Sequence, residues 1–361
     1  MLGRLKDWYD GFRGAGEYAI TVPPMDGALR PNTELEQAEP LFQWPAPDNI
    51  VAVGAQVRFS SGCDVLGFSP GGAPVHVARH SADVTALSAY GEAMATGLAS
   101  GEVLIAGGPH DGRRLVASAA LAITCPVALA FQDADTLLIA NGSERHGASE
   151  WRHDLLTRGA TGSVWAVDLR SGTARCLARN LAWPRGLVAL GDDRVLVSEA
   201  WRSQLVMLRP GAAPDPVLTD LPAYPGGITA SGDGGYFVCL FAPRRRLTEL
   251  VMREPAYRDR MMAEIEPEYW ISPSLRPMQS YYEPLQGGTL KKLAMIKPWA
   301  PSRSYGLIAQ LAPDFGPLRS FHSRADGTRH GISSCAVIGD RIVAASTGGD
   351  IVFALDLGGN G

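Results

Sequence analysis

The chain has 361 residues, 46% of them hydrophobic and 19% charged, with a net charge of −4. That balance excludes a disordered chain. The lack of a basic stripe speaks against nucleic-acid binding, and Arg244-Arg245-Arg246 reads as a solvated loop or strand end.

Residues 1–17 read as a short amphipathic lead-in, with no signal-peptide apolar core, ahead of a single domain over residues 18–361. Two units fit residues 49–79 and 84–118. The uncharged run 115–131 is broken by Ser118, Thr124 and Pro126, so it reads as a junction between repeats and not as a membrane span. From there a phrase recurs: a short apolar run, a Gly/Asp turn and a second apolar run, around residues 132–141, 191–200, 232–240 and 339–346. Each is a hairpin whose turn tolerates positive φ. Two further strands follow, at 163–169 and 174–178 after one hairpin and at 204–208 and 216–218 after the next. Four antiparallel strands per unit make a propeller blade. The expected fold is therefore all-β: a six-bladed β-propeller closed by an N-terminal strand, residues 18–22, against the last strand near 351–355. The 41 glycines and 26 prolines suit so many turns.

Two insertions interrupt the spacing, at 141–161 in blade three and about 242–303 in blade five. Residues 246–264 read as helical, with Leu247, Leu250, Val251, Tyr257, Met261 and Met262 on one apolar face. Tyr269, Trp270, Tyr281, Tyr282 and Trp299 crowd the region after it. The insertion is either a packing flap or a hydrophobic lid over a central pocket. Cys63, Cys125, Cys176, Cys239 and Cys335 are scattered singly without metal-ligand spacing, which suits reduced core thiols in a cytoplasmic protein.

Leu221-Pro222-Ala223-Tyr224-Pro225-Gly226-Gly227-Ile228, Val197-Ser198-Glu199-Ala200-Trp201-Arg202-Ser203 and Tyr305-Gly306-Leu307-Ile308 resemble phrases of the strictosidine synthase-like family. That family belongs to the six-bladed propeller superfamily of gluconolactonases and paraoxonase-like lactonases. The resemblance implies an axial calcium, held by a Glu of blade one and by Asn or Asp where later innermost strands begin, polarising a lactone or ester carbonyl. Here those places read Ala46-Pro47-Asp48, Cys125-Pro126-Val127, Pro184-Arg185-Gly186 and Pro225-Gly226-Gly227. Asp48 keeps a carboxylate, the other oxygen ligands are missing, and Arg185 brings a cation to the axis. No cofactor is expected, with calcium as the alternative. The resemblance also places Ser333 where strictosidine synthase carries the glutamate of its metal-free condensation.

Asp48 and Arg185 should both face the axial channel, as a structural ion pair or as a base and an oxyanion-binding group. His330 is the third candidate for acid–base chemistry. Asn49, His146, Glu199, Tyr224, Ser333 and Trp270 are candidate substrate contacts. Glu199 has the alternative of an ion pair with Arg202, Tyr224 and Trp183 that of packing between blades, and Ser333 has no Gly-x-Ser-x-Gly elbow to mark a nucleophile. The expected function is a hydrolase-like enzyme acting on a small lactone or ester without calcium. The alternatives are a metal-independent condensing or isomerising enzyme and a non-catalytic small-molecule-binding propeller. Residues 21–32 resemble bacterial relatives associated with transporter permeases, which implies a role in uptake or catabolism. The apolar lid leaves room for a homodimer or a membrane-surface contact.

Overall fold

The computed structural model describes residues 22–69, 71–280, 282–284, 291–292, 295–296 and 303–358. Six four-stranded antiparallel sheets follow one another around an axis. Blade one runs Asp48–Val53, Gln56–Ser61, Asp64–Phe68, Val75–Arg79, and blade two Val84–Tyr90, Ala93–Leu98, Val103–Ala106, Arg114–Leu115. Blade three is Pro126–Phe131, Thr136–Asn141, Gly162–Asp168, Ala174–Leu181, and blade four Pro184–Leu190, Arg194–Glu199, Gln204–Leu208, Asp215–Leu218. Blade five is Ala223–Ala230, Tyr236–Pro243, Leu307–Leu311, Pro317–His322. Blade six has Ile332–Ile338, Arg341–Ser346 and Ile351–Asp356, and takes its outermost strand from the N-terminal side.

That closing strand is Glu39–Gln43, with Phe42 opposite Val352 and Gln43 opposite Ile351. It replaces the expected 18–22, of which 18–21 lie outside the described residues. Closure buries aromatic surface: the Phe42 ring meets Phe68 edge-on at 4.9 Å and Phe59 at 5.6 Å. Pro40 is tolerated because the strand is an edge, where one N–H row has no partner to lose. Between blades the core is a series of apolar clusters, such as the one joining Ile105 of blade two to Leu137, Ile139 and Trp165 of blade three.

The insertion in blade five forms two helices, Arg246–Arg253 and Pro255–Glu264, where one was expected. The break falls at Glu254, ahead of Pro255, whose ring disfavours helical geometry in the preceding residue. Val251, Met252 and Met261 are buried, whereas Leu250 and Tyr257 point outward, because the break rotates the two faces relative to each other. Tyr281 and Trp299 lie outside the described residues. The insertion in blade three carries the helix Trp151–Leu156. No helix among the described residues is long and apolar enough to cross a membrane.

The segment ahead of the closing strand is pinned to blade five. Asn32 donates from its amide to Ser320 O (2.7 Å) and accepts from His322 N (2.9 Å), and Ser320 Oγ donates to Ala28 O. His322 is fully buried, with Nε2 2.7 Å from Ser320 Oγ and Nδ1 3.2 Å from the Tyr305 hydroxyl. Burial pushes its pKa down to about 4. The folded chain thus binds this proton less readily than the unfolded chain, whose histidine titrates near 6.5. Stability contributed by the neutral ring is complete above pH 6.5 and falls as the pH drops towards 4, by up to about 3 kcal/mol. Urea midpoints measured across that window should fall more steeply for the native chain than for His322→Asn. Equal slopes would show that the histidine is not the titrating group.

Candidate active site

The six innermost strands begin at the same end of the propeller, and the side chains at those starts form a floor across the axis. Asp48 and Arg185, from blades one and four, meet there: Arg185 Nη2 donates to Asp48 Oδ2 at 2.9 Å, and Nη1 to Val127 O at 2.7 Å. Asp48 Oδ1 accepts from Asn49 N and from Ser333 Oγ, each at 2.6 Å. Ser333 Oγ also lies 2.8 Å from Thr347 Oγ1, which reaches Pro47 O at 2.7 Å. Blade six therefore braces the carboxylate from the side opposite the arginine.

Positive φ angles set these positions. Asn49 has φ 54° beside Asp48, and Trp183 has φ 58° two residues before Arg185. For a bulky residue such as tryptophan this region is a steric outlier that surrounding contacts must enforce. Glu199 supplies one such contact. Its carboxylate is buried and accepts from Ala182 N (2.6 Å), from Gln204 Nε2 (2.6 Å) and from Arg202. Ala200 N and Trp201 N close on the carbonyls of Trp183 and Ala182 at 3.1 Å each. Glu199 is thus the foundation of the Trp183 turn and the partner of Arg202, not of Arg185.

The floor separates two cavities that share Val127, Arg185 and Ser333. Behind it, an axial cavity of about 380 Å³ runs between the innermost strands, lined largely by small residues and by Ser88, Thr229 and Asn49. In front lies a chamber of about 420 Å³. Its wall is aromatic, formed by Trp151, Trp183, Trp201 and Phe241, and the two insertions contribute Trp151 and Leu275. Trp183 and Trp201 stack at 5.3 Å, Trp151 lies 6.1 Å from Trp201, and Phe241 meets Trp151 edge-on at 5.9 Å. Asp83 and Thr85 of blade two complete the lining.

Of the residues picked out from sequence, Asp48, Arg185 and Ser333 come together in this chamber. Asn49 lies behind the floor, its amide committed to Ser60 Oγ at 2.9 Å. His330 is fully buried outside the chamber lining, with Nε2 donating to Arg324 O (2.9 Å) and Nδ1 2.7 Å from Ser304 Oγ. Burial lowers its pKa. A neutral ring with both nitrogens occupied is a structural histidine, so the acid–base role assigned to it is withdrawn. His146 pairs through Nδ1 with the buried Asp154 (3.0 Å), which also accepts from Trp201 Nε1 (2.8 Å); it steadies the wall and is absent from the lining. Trp270 lies buried against His153, ring centroids 4.5 Å apart, and donates to Ile265 O, inside the insertion and away from the chamber.

Tyr224 stands behind the wall, stacked on Phe241 at 6.0 Å and edge-on to Trp201 at 5.9 Å. Its buried hydroxyl has no hydrogen-bond partner among the described residues, and burial raises its pKa. Tyr224→Phe removes a desolvated group with no compensation, so the melting point should stay level or rise, by up to about 1–3 kcal/mol of stability. A fall in melting point would reveal a partner for that hydroxyl.

The donor set does not suit an axial calcium. That ion takes six to eight oxygen ligands; among the described residues lining the chamber only Asp48 and Asp83 are carboxylates, and the Arg185 cation lies 2.9 Å from the first. Among the described residues no three His, Cys, Asp or Glu side chains gather as a metal cluster.

No family profile matches the sequence. The adipocyte plasma membrane-associated protein of Danio rerio is 25% identical over 118 residues, a stretch covering 31% of this chain and 28% of that protein. Solved structures align over most of the chain. A gluconolactonase-type protein matches 88% of this chain and 89% of its own with a TM-score of 0.52 at 11% identity. The calcium-binding protein regucalcin from Agrobacterium tumefaciens matches 88% and 92% with a TM-score of 0.53 at 9% identity. A luciferin-regenerating enzyme matches 89% and 95% with a TM-score of 0.52 at 12% identity. At these identities the likeness is one of fold: the chain shares the architecture of the gluconolactonase and regucalcin propellers.

Proposed function

We propose that this chain, in the strictosidine synthase-like branch of the propeller superfamily, is a hydrolase-like enzyme that opens a small lactone or ester in the front chamber without calcium. One observation supports the reading above others. Arg185 presents a fixed guanidinium at the base of an aromatic chamber, and only two of its N–H groups have partners among the described residues. A guanidinium carries five. The remaining donors suit a carbonyl oxygen that gains negative charge as the acyl carbon becomes tetrahedral, and aromatic walls strengthen that interaction by excluding water.

The step conserves atoms with water as the nucleophile. Asp48 Oδ2, which has a lone pair beyond the one facing Arg185, takes a proton from water as its oxygen bonds to the acyl carbon. The acyl C–O bond then breaks, and the leaving alkoxide takes the proton back from Asp48. Ser333 holds the carboxylate in place. A panel of γ- and δ-lactones and aryl acetates, assayed in excess chelator and again with calcium, tests this. Turnover indifferent to chelator is expected. No turnover on any compound, or turnover that needs calcium, would overturn it.

A second reading, a non-catalytic binding propeller, is favoured by one detail: Asp48 already accepts from four groups, as a purely structural carboxylate would. Tight binding of a ligand recovered unchanged would select it.

A further inference from the structure

The charges around the chamber do not cancel. The Asp48 carboxylate is matched by Arg185. Asp83 is not matched: it lines the same chamber, accepts from Cys63 Sγ at 3.3 Å, and has no cationic side chain within ion-pair distance among the described residues. It stands one residue ahead of the innermost strand of blade two, Val84–Tyr90, and is exposed to solvent. Blade two lies across the ring from blades four and five, which supply Trp183, Trp201 and Phe241. The chamber is therefore two-sided, with an unpaired carboxylate at one edge and aromatic side chains opposite. The carboxylate attracts a positive charge by Coulomb attraction, and the aromatic wall suits an apolar body carried beside that charge. Among the described residues that line the chamber, Arg185 is the one cationic side chain, and one of its N–H groups is already given to Asp48.

The geometry points to a substrate with an ammonium group attached to an apolar body, the cation seated between Asp83 and the tryptophan wall and the reactive carbonyl lowered to Arg185. This rests on the chamber being the substrate site, and it deepens the hydrolase reading by naming the class of ester or lactone: a cationic one. Asp83 would be a binding residue, with no part in the bond-breaking step.

Three probes of similar size separate the possibilities: benzyltrimethylammonium, benzyl alcohol and benzoate, each titrated against the intact chain with quenching of the chamber tryptophans as the readout. The expected result is binding of benzyltrimethylammonium at least tenfold tighter than benzyl alcohol, about 1.4 kcal/mol, with the advantage shrinking as salt rises. Asp83→Asn should erase that advantage, and Asp83→Glu should keep most of it. Equal binding of the cation and the alcohol, an advantage that survives in Asp83→Asn, or tightest binding of benzoate would each overturn the proposal. The two readings also fail separately. Asp83-dependent cation binding with no ester turned over would sink the hydrolase and leave this site. Turnover of aryl acetates without preference for aminoalkyl esters over their neutral counterparts would do the reverse.

Discussion

Arg185→Ala is expected to lower kcat/KM on any responsive ester by roughly 10²–10³-fold, the usual cost of removing a donor aimed at a developing oxyanion. Three things change at once. The carbonyl loses its electrophilic partner. Asp48 keeps only its neutral donors, Asn49 N, Ser333 Oγ and Ser334 Oγ. The front chamber and the axial cavity, which meet at Arg185, open into each other, so water reaches the aromatic wall from behind. The pair is partly exposed, with side chains 17% and 23% accessible, so the loss of stability should stay near 1–3 kcal/mol. Arg185→Lys keeps the charge but not the fork that reaches both Val127 O and Asp48, and should fall between alanine and wild type. Comparing kcat/KM with melting points separates the roles. Unchanged turnover with a lowered melting point would make the pair a structural plug and end the case for catalysis at the floor.

How far this site could be read from sequence depended on which kind of signal carried each part. The hairpin phrase is local: its Gly/Asp turns and flanking apolar runs lie within about ten residues, so the blades were legible almost strand for strand, as with Gln204–Leu208. The closing strand was not legible. Glu39–Gln43 pairs with residues three hundred positions away and contains only Leu41 and Phe42 as sizeable apolar residues, with Pro40 between the first residue and these. Strand starts were a sound guide to the axis, which is why Asp48 and Arg185 were found. The same rule marks Asp83, one residue before its strand, although blade two carries no ligand phrase in the resemblance. Side-chain direction was harder, since it alternates along a strand and turns freely at its ends. Glu199 and His330 sit near the floor in sequence but aim into the protein. The aromatic wall was least legible, because Trp151, Trp201 and Phe241 come from an insertion, a turn and a strand end that only tertiary packing brings together.

That packing has a keystone of its own, and removing it should have the second largest effect. Arg303 is 4% exposed and uses its whole fork: Nε donates to Ser272 O, Nη1 to Glu268 O and Glu283 Oε2, and Nη2 to Glu268 O and Trp270 O. It ties four points of the blade-five insertion to the start of the chain's return into the sheet. Arg303→Ala would leave Ser272 O and Glu268 O without a partner among the described residues, and Trp270 O and the Glu283 carboxylate with backbone N–H donors alone; a buried charge pair broken on one side costs about 3–5 kcal/mol. The cost falls on the insertion first, because the six sheets are held by their own ladders and inter-blade clusters. The expected result is rapid proteolysis within residues 264–283 while the main melting transition moves little, together with loss of ligand-induced tryptophan quenching. The link to the chamber is direct: Met261 and Trp270 pack in the same buried cluster as Trp183 and Phe241. Arg303→Lys supplies three donors for these acceptors and should restore protease resistance in part. If Arg303→Ala instead keeps both protease resistance and quenching, the insertion is held by its apolar contacts alone, and the chamber's shape does not depend on the arginine.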